Sequence, residues 1–563
     1  MKHETESSDF ETCRLSWPDT IERVCPICGA RIRFYGSDDD KFVHTLEGTI
    51  YQIVNLYRCA NSRCPLHGWP FNLHPRFDYG QRRYGADVFR LVAEEFLLIR
   101  AKPEQVWQRL TLKFHVDISE RTVARICDDV ANLKAHQVDR RTRELLAADP
   151  RVLLGFDGQE PGEGGEVLWM FLDLLKNRVL HTCVAGSMDH VALHREIEGF
   201  RARLGVTFVG WVSDKQGSIV KCHDTYYPAL PHQYCQFHFL RNTWRHAEAL
   251  DSNIFLPLQK ALNALHVHKA GPGVVADFEG IGRMPVREVF ADVDRDFRAM
   301  LRARNKTFKQ LRGIWLYDTL AKYAAGMRGV LARLDPAYRF TGLFKDTVET
   351  LETALESVKS AYEDSCLLLA LFQGVRAELA DPARPWLEQQ VALDDRYRNI
   401  WATARERGLE VDLGDLRTFV PGKETPVAEV LGEWCRLWES YRPGLFQYAN
   451  FPKPVRTNGD CEAGFSKEKQ ALFGRVAKAR VGHMVETRGE AYLRLGHCTG
   501  EELASDILAG LTGRLLLRLQ EEQQARIAAK TGKWDKPNRE FGEYCDISLK
   551  FYPEWEGFIV GGD

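Results

Sequence analysis

Apolar residues between Tyr84 and Leu133 recur at helical spacing, and three helices are expected there. Val88, Leu91, Val92 and the stretch Glu95 to Leu98 form the first. Pro103 starts the second through Val106, Trp107 and Leu110, and Ser119 caps the third through Val123, Ile126 and Val130. At Arg151 the period changes to that of strands. Arg151 to Phe156, Val167 to Leu174 and Val179 to Val184 read as three successive strands, joined by a Gly-rich turn at Gly162 to Gly165 and a short turn at Lys176-Asn177. His190 to Leu204 reads as a helix with Leu193, Ile197, Phe200 and Leu204 on one face, and Thr207 to Ser213 as a fourth strand. A helix starting over Gly217 to Cys222 and a fifth strand over His232 to Cys235 follow, leading into Phe237 to Trp244. Residues 246 to 452 then show repeated helical periodicity, as in Phe255, Leu258, Leu262, Leu265 and again in Val348, Leu351, Leu355, Val358. Near the C-terminus Leu503, Ile507, Leu511, Leu515 and Leu519 mark one more amphipathic helix, suited to docking on the core or pairing with a second copy.

Upstream of all this stand Cys25-Pro26-Ile27-Cys28 and Cys59-Ala-Asn-Ser-Arg-Cys64. The residues between them alternate like a hairpin over Arg31 to Tyr35 and Thr49 to Tyr57. Two cysteine knuckles pinned by one tetrahedral structural Zn²⁺ make a zinc ribbon, a fold too small to stand without its metal. His67 is the substitute ligand, and unpaired structural thiols are the competing reading. Cys127, Cys183 and Cys366 sit in apolar surroundings and are expected as small buried hydrophobes.

A chain of 563 residues predicts several domains. It holds no apolar run of about 18 residues, and Met-Lys-His-Glu-Thr-Glu is not a secretory start, so no membrane and a cytoplasmic, nucleoid-associated location are expected. The net charge of −2 means that any nucleic-acid contact must come from local basic patches. One candidate patch is Arg121, Thr122 and Arg125 at the start of the third helix, where a helix-turn-helix would place its base and phosphate contacts. A helical spacer bundle would show the same pattern. The other is Lys467, Lys469, Arg475, Lys478 and Arg480, set against the single acid Glu468, which reads either as phosphate contacts or as a solvated face.

Three acids occupy distinctive places. Asp157 ends Val-Leu-Leu-Gly-Phe-Asp, Asp214 ends Phe-Val-Gly-Trp-Val-Ser-Asp, and Glu462 closes Thr457-Asn458-Gly459-Asp460-Cys461-Glu462 at the start of a helical segment. Each alone could mark a strand end or a helix cap. Together they have the makings of a carboxylate cage for two Mg²⁺ (or Mn²⁺) ions about 3.5–4 Å apart, the arrangement that activates an attacking oxygen and stabilises a leaving one at a phosphodiester. Trp315, Trp401, Trp434 and Trp438 could stack on unpaired bases, but Trp434 and Trp438 share a helix face, which favours core packing.

These residues resemble a known family. Phe156-Asp157-Gly158, Val212-Ser213-Asp214, Cys235-Gln236-Phe237-His238 and the Thr457 to Glu462 motif, followed by Phe465 and Lys469, look like the motifs of DDE transposases of the RNase H-like superfamily, bacterial insertion-sequence and Mutator-like enzymes above all. Gly459 stands where the family's last motif carries a second Asn. The resemblance implies an α/β multidomain protein, with an RNase H-like mixed-sheet core interrupted by a large all-helical insertion and preceded by a zinc ribbon and a helix-turn-helix. It gives Asp157, Asp214 and Glu462 the roles of catalytic metal ligands and Cys235 and His238 that of an accessory pair. His238 would contact the scissile phosphate or position a carboxylate; the alternative is that the pair merely begins a helix. The implied partners are double-stranded DNA, both transposon terminal inverted repeats and target, and further copies of the chain in a homodimer or higher oligomer.

The domain boundaries expected are a tail over 1–20, zinc ribbon 21–80, helix-turn-helix 81–140, core 146–245, insertion 246–452, core with the Glu helix 453–500, and a helical tail 501–563. Two competing functions remain: an RNase H-like nuclease or resolvase without strand transfer, and a domesticated DNA-binding regulator.

Overall fold

The computed structural model describes residues 14–15, 24–72, 83–159, 167–185, 188–265, 275–278, 282–337, 339–381, 384–410, 426–460, 463, 519 and 525. The chain divides into two compact units, Met1–Val209 with Gly459–Asp563, and Gly210–Asn458.

The first unit begins with a small sheet. Strand β1 (Arg14–Leu15) runs parallel to β3 (Gly48–Cys59), which pairs antiparallel with β2 (Ile32–Thr45) and with β4 (Phe71–Asn72). The hairpin is longer than alternation in the sequence suggests. Register shifts at Phe34/Gly36 and Asp38/Lys41 carry the ladder past the acidic run that breaks the alternation. Its core is thin: Ile32, Tyr57, Leu66 and Phe71 pack with Cys25, Cys59 and Cys64.

Helix α1 (Ala86–Glu94) continues into a π-helical turn, Glu95–Ile99, that ends on Arg100 at φ 62°. Helix α2 (Pro103–Lys113) has its proline at the first turn, and α3 (Glu120–Ala148) is capped by the Ser119 side chain on the Thr122 N–H. Helix α3 runs well past Leu133, because no Gly or Pro intervenes before Pro150 and because Thr142 and Leu146 are buried.

Strands β5 (Arg151–Gln159), β6 (Val167–Asp173) and β7 (Arg178–Ala185) form an antiparallel meander, and helix α4 (His190–Leu204) follows. The Asp189 carboxylate caps α4 by accepting from the Val191 and Ala192 N–H groups at 3.0 and 2.8 Å, and Gly205 at φ 65° closes it. Strand β8 (Thr207–Ser213) begins in this unit and ends in the second. Helix α5 (Gly217–Tyr226) and strand β9 (His232–Tyr234) follow, β9 parallel to β8, and the sheet order is β7-β6-β5-β8-β9. The result is a five-stranded mixed sheet. The Gly-rich turn expected at Gly162 to Gly165 lies outside the described residues.

Helix α6 (Gln236–Ala264) carries the second unit from β9 into a helical body made of α7 (Val286–Met300), α8 (Arg312–Leu331), α9 (Arg339–Ser357), α10 (Lys359–Ala380), α11 (Trp386–Glu406) and α12 (Val427–Tyr441). The expectation of an all-helical insertion is corrected by a two-stranded hairpin, β10 (Val275–Phe278) with β11 (Gly282–Pro285). Gly271-Pro-Gly and Gly280-Ile-Gly flank β-branched residues there and disfavour a helix.

The body is held by specific polar groups as well as by its core. The fully buried Asp251 of α6 accepts from the Gly313 and Ile314 N–H groups at 2.6 and 2.9 Å, and so supplies the start of α8 with a cap from another helix. Position 313 requires glycine, since a Cβ would lie 2.4 Å from the Asp251 carbonyl oxygen. Burial raises the Asp251 carboxyl to about 6 against the pull of those two N–H groups. Trp434 and Trp438 are core residues, with Trp438 stacked on Tyr397 at 4.9 Å between centroids.

Candidate functional site

The four N-terminal cysteines converge. Cys25 and Cys28 sit on one knuckle, Cys59 ends β3 and Cys64 lies on the turn after it, and their Sγ atoms all fall within 4.8 Å of one another. The closest pairs are Cys28–Cys59 at 3.5 Å and Cys25–Cys64 at 3.7 Å. Four thiolates about 2.3 Å from a tetrahedral Zn²⁺ would be roughly 3.8 Å apart, so this group could bind zinc with little adjustment. The thiols differ in readiness: the Ala30 backbone lowers Cys28 to about 7, whereas burial pushes Cys59 up to about 12. His67 is not needed as a substitute, because the four cysteines already supply four donors; its Nδ1 lies 3.1 Å from the Cys59 carbonyl oxygen.

At the start of α3, Arg121 and Arg125 are exposed one turn apart. Thr122 is less available, since its hydroxyl lies 2.9 Å from that of Ser119 and belongs to the helix cap. The loop before α3 is fixed from below by Trp107, whose Nε1–H donates to the Ile118 carbonyl at 2.8 Å.

Within the first unit, Asp157 is on β5, in register with Met170 of β6, and its Oδ1 accepts from the Gly158 N–H at 2.8 Å. Glycine must follow it: a Cβ at 158 would come within 2.9 Å of Val167 and 3.0 Å of the Trp169 ring.

Within the second unit, segments far apart in sequence meet around Asp214. The parallel register Trp211↔His232, Val212↔Gln233, Ser213↔Tyr234 fixes the end of β8, and the Cys235 N–H continues it by donating to the Ser213 carbonyl at 2.8 Å. Cys235 therefore precedes the first turn of α6, and His238 lies within that turn. Burial pushes the Asp214 carboxyl up, opposed first by the nearby His238 and then by the Gln216 N–H, whose bond to Oδ1 is 3.3 Å long. The chain returns to the same place after the helical body. The Gln236 N–H donates to the Arg456 carbonyl at 3.1 Å, and the buried Asn458 donates its N–H to Cys235 Sγ at 3.2 Å. Cys235 is thus the acceptor that receives the Thr457-Asn458 motif.

Three further residues shape this region, none of them singled out by the sequence. Ser213 donates its hydroxyl to the Asp214 carbonyl at 2.7 Å, so His232 Nε2, 2.8 Å from Ser213 Oγ, must carry the proton of that contact. Burial, helped by His223, holds His232 down at about 3 and therefore neutral. Lys215 is bonded to the Ser440 hydroxyl with its ammonium 5.3 Å from the Tyr441 ring centre, and burial lowers its pKa. The Tyr441 hydroxyl accepts from Asn242 at 3.0 Å; burial pushes it up to about 12, with the charge of Asp214 adding to the effect. His232 opens a strand of only three residues, His-Gln-Tyr, so no apolar run in the sequence singles it out.

Glu462, Lys467, Lys469, Arg475, Lys478 and Arg480 lie outside the described residues, as does the C-terminal amphipathic helix apart from Leu519, which is buried.

No protein-family model matches this chain, and no curated protein does. Among solved structures, a Drosophila P element transposase strand transfer complex is similar over 77% of this chain and 94% of its own, at 12% identity and a TM-score of 0.31. That likeness is too low to transfer a fold or an activity.

Proposed function

We propose that this chain is a DDE-type DNA transposase with an RNase H-like core, in which Asp157, Asp214 and Glu462 hold two Mg²⁺ ions for cleavage at transposon ends and for strand transfer. The observation that carries the reading is the junction at Cys235. Asp214, the Cys235/His238 pair and Asn458 belong to three motifs spread over more than two hundred residues, and one compact unit gathers them. A merely structural strand end gives no reason for the chain to return there with the residue that lies four positions before Glu462.

The donor chemistry fits the ions. Asp214 is a carboxylate that burial disfavours and that only His238 and one 3.3 Å N–H bond support, so a hard divalent cation would supply what it lacks. When bound, the ions activate water or a 3′-hydroxyl and stabilise the leaving oxygen. The chain's own residues fix the backbone that presents this carboxylate: the Ser213 hydroxyl ties down the Asp214 backbone carbonyl and neutral His232 orients Ser213. His238 would face the scissile phosphate. The cysteine cluster would be the zinc site of a ribbon, and the α2–α3 pair a helix-turn-helix. Arg121 and Arg125, with Thr122 at their side, would contact DNA there; Lys467, Lys469, Arg475, Lys478 and Arg480 would bind phosphates near the metals.

The test uses purified full-length protein and a DNA end carrying the element's terminal repeat. Asp157→Asn, Asp214→Asn and Glu462→Gln are expected to lose cleavage by at least about 10³-fold while binding the end normally, and Glu468→Gln to stay near wild type. Full cleavage by any of the first three removes that residue from the site. Cleavage without joining to target would make the protein a nuclease instead.

A further inference from the structure

The first unit holds a second group of side chains able to ligate a metal, distinct from the four cysteines. His181, Cys183 and Glu196 each offer a ligand atom, all within 4.8 Å of one another. His181 and Cys183 are two residues apart on β7, so they project from the same face of the sheet, and β7 stands at the end of the strand order. Helix α4 brings Glu196 to that face.

The imidazole of His181 is held between two rings, its centroid 5.7 Å from Phe171 of β6 and 5.7 Å from Phe200 of α4. This sets its Nε2 3.1 Å from Glu196 Oε2. Cys183 is 7% exposed, whereas the Glu196 side chain is 43% exposed and opens the group to solvent.

We infer that His181, Cys183 and Glu196 form a second transition-metal site, taking a Zn²⁺-class ion through one imidazole, one thiolate and one carboxylate, with water in the fourth position. A His–Glu hydrogen bond alone would account for two of these residues. The Cys183 thiol adds a third donor within 4.8 Å of both. In a tetrahedral site with bonds of about 2.0–2.3 Å the donors stand roughly 3.3–3.7 Å apart, so the His–Glu pair is already at the required spacing and the remaining gaps close by about 1 Å. The mixed N, S and O donors select zinc over magnesium, which prefers six oxygens. Binding releases the Cys183 proton to solvent and changes no oxidation state. The ion would tie α4 to an edge strand.

The experiment is zinc analysis of the full chain, purified without chelator, equilibrated with Zn²⁺ and desalted. Two zinc ions per wild-type chain are expected, with one lost in Cys183→Ala and in His181→Asn, and the other lost in the Cys25→Ser/Cys28→Ser double variant. An independent reading needs only wild type and Cys183→Ala: Co²⁺ replacing the weaker-held zinc should give thiolate-to-metal absorption in the first and none in the second. One zinc in wild type with no such absorption overturns the site. So do two zinc ions that persist unchanged in Cys183→Ala, because the second would then lie elsewhere.

Discussion

The cysteine cluster and the Asp214 region both gather polar groups from separated positions, but at different ranges. Cys25 to Cys64 is a span closed by one hairpin, and the ligands approach tetrahedral spacing because the β2–β3 register brings the two knuckles together. Asn458 reaches Cys235 only after the chain has passed, among the described residues, through helices α6 to α12 and the β10–β11 hairpin and come back. The first site has little else to hold it, since its core amounts to a few apolar side chains, so a metal bound there would carry much of its stability. The second depends on the integrity of a helical body much larger than itself. Local sites of this kind are written in residue spacing, whereas distant ones are written in whatever makes the chain return.

Breaking the local site should have the largest effect. The Cys25→Ser/Cys28→Ser variant is expected to lose its zinc and the folded ribbon together, because structural zinc contributes on the order of 10 kcal/mol. Loss of protease resistance confined to residues before Tyr84, with the remainder of the chain still folded, would confirm the ribbon's dependence on metal. A ribbon that stays folded without metal would remove it.

A smaller effect is expected from breaking the return. Gln233 is fully buried; its amide donates to the Leu445 carbonyl at 2.8 Å and its carbonyl oxygen accepts from the Tyr448 N–H at 2.8 Å. Gln233→Leu leaves both backbone groups without that partner and should cost about 2–5 kcal/mol in urea unfolding. If the return sets the Asp214 site, the variant should lose cleavage while its zinc content stays at the wild-type value. Unchanged cleavage at reduced stability would separate the two.

The smallest effect sharpens the contrast through pH. Asp251 has a folded-state pKa of about 6 against an ordinary 3.8, so it binds its proton more tightly when folded. The resulting stability is fully present below about pH 4 and is lost as pH rises through about 6, a change of up to about 3 kcal/mol. The melting temperature of wild type relative to Asp251→Asn should therefore fall between pH 4 and 7. A difference that stays flat with pH would mean that the carboxyl titrates normally.

Strand β8 and helix α4 were legible in the sequence to the residue. An apolar run bounded by Gly205 and Asp214, and a helix with Asp189 before it and Gly205 after it, leave the backbone little choice. The cysteine knuckles were legible for the same reason. Helix α3 was read too short because its last two turns bury only a few side chains, Thr142 and Leu146 among them, so the apolar period fades while the helix continues. The β10–β11 hairpin was missed because strand and turn signals were subordinated to the helical period on either side. The roles of His232, Lys215 and Tyr441 could not be read, since each depends on a hydroxyl, ring or carboxylate supplied by another element.

Helix α6 starts at the residue after Cys235 and runs 29 residues, roughly 43 Å, into the helical body, burying Trp244, Leu250, Ile254, Phe255 and Leu258 on the way. The helical body is therefore no detachable module. An excision at its N-terminal end must cut through α6 or strip the apolar flank from the part that remains. Shortening the body from that end therefore disturbs the strand edge that α6 begins from.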